Sequence, residues 1–101
     1  MKRQEFNQLL EQRCRKTQEL FNRKNKEYAR EDDIFENFKD AARILKTSEA
    51  KALWGMLIKH IISVQAIIER EIADEELVNE KIGDIITYMV LLEGILKEGR
   101  K

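Results

Sequence analysis

Proline is absent from this 101-residue chain, glycine occurs four times, and cysteine and histidine once each. With so few residues that interrupt a helix, and with 38% of positions charged, the composition suits long helices with solvated outer faces. The expected class is all-α, a small antiparallel bundle of about four helices forming a single domain over 1–101. The lone Cys14 excludes an internal disulfide, and no histidine or second cysteine stands near it at zinc-ligand spacing. Both facts point to a reducing, cytoplasmic setting. Its neighbours Phe6, Leu10 and Phe21 suggest that it fills a core. No unbroken run of about 18 apolar residues exists, so no membrane span is expected, and MKRQEFNQLL lacks the apolar segment of a signal peptide. Net charge is absent as well, 19 basic residues balancing 19 acidic ones. That balance argues against a DNA or RNA polymer as partner.

A domain of this size buries only about two-thirds of its unfolded surface, so a homo-oligomer is expected. Apolar spacing and cap signals delimit the helices. The first runs from about Arg3 to Arg23, with Phe6, Leu9, Leu10, Cys14, Leu20 and Phe21 near one face. A loop of about ten residues follows. Asp33 is expected to cap a short second helix in a capping box with Glu36, and Thr47 or Ser48 to cap a third that reaches Arg70. Asp74 should cap the fourth, to about Lys97. The third and fourth are apolar over much of their circumference and require cover on more than one side.

Charge is unevenly distributed. Arg13 to Arg30 holds seven basic and two acidic residues, and Glu69 to Glu80 holds six acidic and one basic. Two solvated faces, an anion site or complementary subunit surfaces would each produce this asymmetry.

Three features break the helical pattern. His60 lies in register with Leu53, Met56, Leu57, Val64 and Ile67, so the single histidine belongs to an apolar face; it is either a core histidine with a hydrogen-bond partner or a ligand contact. Lys81, Asp84 and Tyr88 share one stripe closed by Leu77, Leu91 and Ile95. They form either a self-satisfied Lys81–Asp84 pair with Tyr88 packed beside it or the lining of a pocket, since unpaired burial of such groups costs several kcal/mol. Gly55 and Gly83 sit inside helices at a cost of up to about 1 kcal/mol each, which close helix approach or room for a ligand would explain.

The bend RKNKEYARED brings Lys24, Lys26 and Arg30 beside Tyr28, offering cations for phosphate and a ring for a base, while Asn25 and Asn37 add amides able to read base edges. This composition resembles a nucleotide-binding loop.

The ordered set KNKEYAREDD (24–33), Asn37-Phe38, ALWGM (52–56) with Lys59-His60 and Ser63, and EKIGD (80–84) with Tyr88 is similar to a group of small phage and prophage proteins. That group in turn resembles the nucleotide modification associated domain and, more remotely, MazG-like all-α nucleotide pyrophosphohydrolases. The resemblance covers residues 20 to 92. A MazG-like enzyme would cleave nucleoside triphosphates with Mg²⁺ held by Glu-x-x-Glu and Glu-x-x-Asp pairs on adjacent helices. Here Glu80 and Asp84 are four apart, and the facing helix carries Lys59 and His60 where a carboxylate pair should stand. Hard-oxygen ligation of Mg²⁺ is disfavoured beside cations. The resemblance therefore implies a nucleotide or cyclic nucleotide held without chemistry and without a cofactor, as by the phage sponges that sequester immune signals such as those of CBASS. The residues expected to bind are Lys24, Asn25, Tyr28, Arg30, Asn37, Lys59, His60, Lys81, Asp84 and Tyr88. The alternative is hydrolysis with Mg²⁺; a third reading is an inhibitor that presents its acidic 69–80 span to a host nucleic-acid-binding protein.

Overall fold

The computed structural model describes residues 1–28 and 33–99, with the side chains of 24–28 left out. Four helices account for nearly all of it: α1 (Arg3–Tyr28), α2 (Glu36–Leu45), α3 (Glu49–Glu69) and α4 (Glu75–Glu98). The all-α expectation holds. The two caps of the central pair are where their sequences place them, Ser48 Oγ accepting from the Lys51 amide at 3.2 Å and Asp74 Oδ1 from the Leu77 amide at 3.2 Å. Each satisfies one amide that the helix leaves without a partner.

Two boundaries differ from the sequence reading. Helix α1 continues to Tyr28, so the first half of the basic bend is helical backbone rather than loop; Lys24, Asn25, Lys26 and Glu27 contain no breaker, and polarity alone does not end a helix. Asp33 caps the turn before α2 instead of α2 itself. Its carboxylate accepts from the Phe35 amide at 2.9 Å and from Lys39 Nζ, while Phe35 occupies the helix N-cap without a side-chain bond.

The core lies where α3 meets α2 and α4. Leu53 and Leu57 are fully buried, joined by Phe35, Phe38, Ala42, Ala52 and Ile95. Met56, Tyr88, Leu91 and Leu92 pack against its edge. Leu53 near the start of α3 shares one core cluster with Ile95 near the end of α4, and His60 farther along meets Asp84 nearer the start of α4, so these two helices run antiparallel.

Helix α1 docks on α4. Arg13 donates to the Asn79 carbonyl at 3.2 Å and to Asn79 Oδ1 at 3.0 Å. Gly83 makes room for it: a Cβ there would stand 2.9 Å from Arg13 Nη1. Gly94 does the same for Phe35, whose ring would lie 2.7 Å from an added Cβ. An apolar cleft of about 530 Å³ remains along this seam, lined in part by Cys14, Phe21, Ile34, Val90 and Leu91. Thr17 and Thr87, which also line it, bury hydroxyls that have no hydrogen-bond partner among the described residues.

Cover on all sides of the apolar helices is not supplied by the described residues. Phe6, Leu9 and Leu10 are 44–50% exposed, and Cys14 is exposed rather than a core filler. Helix α3, with a mean hydropathy of 1.3 in its most apolar stretch and 17% of that stretch buried, is long and apolar enough to cross a bilayer by length and composition. The absence of an unbroken apolar run thus does not dispose of a span as the sequence suggested, because the interruptions at Lys59 and His60 are few.

Candidate functional site

Helix periodicity puts His60 on the packed face of α3 and Asp84 and Tyr88 on the packed face of α4, one turn apart. Antiparallel pairing brings the three together. His60 Nδ1 stands 3.5 Å from Asp84 Oδ2, the two side chains being 15% and 10% exposed. The Tyr88 ring lies tilted against the imidazole with centroids 5.0 Å apart, and Phe38 of α2 meets that ring edge-on at 6.2 Å. Burial first, and the nearby Asp84 charge second, push the Tyr88 phenol above its usual 10.0. The Tyr88 ring thus packs against the imidazole, and its phenol favours the neutral form that can both donate and accept.

Of the residues expected to bind, His60, Asp84 and Tyr88 are therefore assembled. Lys81 is half-buried, but among the described residues the side chain that meets the Asp84 carboxylate is His60 and not Lys81. Lys59 and Asn37 are exposed, on α3 and α2. The side chains of Lys24, Asn25 and Tyr28, and all of Arg30, lie outside the described residues.

Two polar links escaped the sequence reading. Arg13 falls three and four positions after Leu10 and Leu9 and four before Thr17, so the register argument that singles out His60 also places this cation on the inner face of α1. The Asp33–Lys39 pair had no such signal, because a spacing of six is not a helical neighbour relation. Lys39 holds the Asp33 carboxyl below its usual range, helped by the Phe35 amide, and the Lys39 ammonium is raised in return.

Among the described residues no three His, Cys, Asp or Glu side chains converge as metal ligands would. Glu80 is exposed while Asp84, four residues on, is buried, so the pair does not share one environment. Comparison with family models, curated proteins and solved structures finds no match for this chain.

Proposed function

We propose that the chain binds a nucleotide, mono- or cyclic, and holds it intact as a homo-oligomer in a bacterial cytoplasm, in the manner of a phage protein that sequesters an immune signal. One observation carries this reading. A histidine, a carboxylate and a neutral phenol, types suited to reading a base edge, meet in a largely buried cluster, with the exposed cation Lys59 adjacent in sequence to His60. In this reading Lys24, Lys59 and Arg30 hold phosphate, Tyr28 stacks on the base, and Asn25, Asn37, His60, Lys81, Asp84 and Tyr88 contribute polar contacts. The donor set supports holding over hydrolysis, since Mg²⁺ chemistry on a nucleoside triphosphate calls for several convergent hard oxygens.

The test is calorimetry against a panel of linear and cyclic nucleotides, followed by recovery of the ligand after denaturing the protein. Intact ligand and a tenfold or greater loss of affinity in Lys59→Ala, which leaves the core untouched, support the reading (about 1.4 kcal/mol). Absence of binding to every member by the folded protein rejects it. Conversion of a triphosphate with Mg²⁺ or Mn²⁺ replaces it with the hydrolase.

A further inference from the structure

The face of α3 turned away from the core carries Trp54, Ile58, Ile61, Ile62 and Ile68, each between 39% and 71% exposed. Their spacing of three, four and seven makes one stripe, about a quarter turn around the helix from Leu53, Leu57 and His60. Gly55 borders it. Unlike Gly83 and Gly94, it makes room for nothing among the described residues, where an added Cβ would meet no atom within 4 Å. A glycine in mid-helix weakens the helix, and no close approach among the described residues offsets this one.

The whole molecule is too open for a self-sufficient monomer. Its surface of 8269 Å² compares with about 6,000 Å² for a compact 12.0 kDa protein, and its radius of gyration of 15.5 Å with about 13 Å. Part of the excess is the start of α1, whose first residues are all exposed. A standard interface would remove roughly 800 Å² of it per partner.

From the stripe, the vacant space at Gly55 and the unburied area, we infer that α3 packs against α3 of a second copy of this chain, the two helices crossing at Gly55. A two-fold axis makes such a contact self-complementary and closed. The apolar stripe then leaves water, and the missing Cβ lets the backbones approach. A bilayer suits this face less well: the adjoining side of α3 is committed to α2 and α4, so insertion would drag Lys39, Asp40 and Arg43 of α2 along with Lys59 into hydrocarbon, where each charge is strongly disfavoured. The inference does not depend on nucleotide binding.

Sedimentation equilibrium of the full chain over a concentration series tests it, with Gly55→Leu as the decisive variant, because that side chain enters space that no described residue fills. The wild type is expected to be dimeric or a multiple of dimers. Gly55→Leu should raise the dissociation constant about a hundredfold with helical circular dichroism retained, and Ile58→Glu should do the same. A wild type that stays monomeric throughout, a Gly55→Leu variant that associates as tightly as the parent, or partition of the wild type into phosphatidylcholine vesicles would each overturn it.

Discussion

His60 and Asp84 face each other across the α3–α4 contact at 3.5 Å, in the same layer as the apolar core that Leu53 anchors. Removing either member takes one polar partner from the other, inside a mostly buried contact. Asp84→Ala is expected to lower stability by about 1–3 kcal/mol, and the double change with His60→Ala to cost less than the sum of the two single changes. Denaturant unfolding of the four proteins in this cycle measures the coupling.

Tyr88 gives a spectroscopic reading of the same cluster. With Tyr28→Phe it becomes the only tyrosine, and its ultraviolet titration should centre above 10.0 because burial resists the phenolate. Asp84→Asn should move the midpoint down only in part, since the carboxylate is the smaller cause. A folded-state value raised above the unfolded one means that the contribution to stability is complete below about pH 10 and is lost as the pH climbs through the folded midpoint.

The Asp33–Lys39 link titrates at the other end of the scale. Its lowered carboxyl contributes stability above the unfolded value of 3.8 and loses it as the pH falls through the folded one. Carbon-detected NMR titration should find Asp33 below 3.8, and Lys39→Met should bring it back up, short of full recovery because the Phe35 amide still donates.

Gly94→Ala should destabilise by about 1–3 kcal/mol, because its methyl would collide with the buried Phe35 ring. Gly83→Ala meets only the end of the flexible Arg13 side chain, so the gain in helix propensity offsets the disturbed Asn79 bonds and the melting temperature should stay within a few degrees. Thermal scans of the two variants side by side separate a rigid obstacle from a movable one.

Leu53→Ala removes a side chain with no exposed surface and should cost about 2–5 kcal/mol. Chemical denaturation checks the magnitude.

Helix count, the Ser48 and Asp74 caps and the inward register of His60, Asp84 and Tyr88 were legible because each depends on local spacing. Cys14, Phe6 and Leu10 were misread because periodicity identifies an apolar face without saying whether anything covers it. The end of α1 was misplaced because cationic residues were taken for a loop where no residue forbids a helix. His60 as the partner of Asp84, rather than Lys81, required knowing how α3 and α4 face one another, which no single-helix argument contains.

The seam between α1 and α4 is secured by Arg13 and Asn79, encloses the Thr17 and Thr87 hydroxyls, which find no partner among the described residues, and leaves a groove beside Cys14. Such a boundary opens at lower free energy than the Leu53 core. In native-state hydrogen exchange, amides of α1 should therefore exchange as an early, separate cooperative unit while those of α3 persist until the whole chain unfolds, and Arg13→Ala should quicken the first process without touching the second.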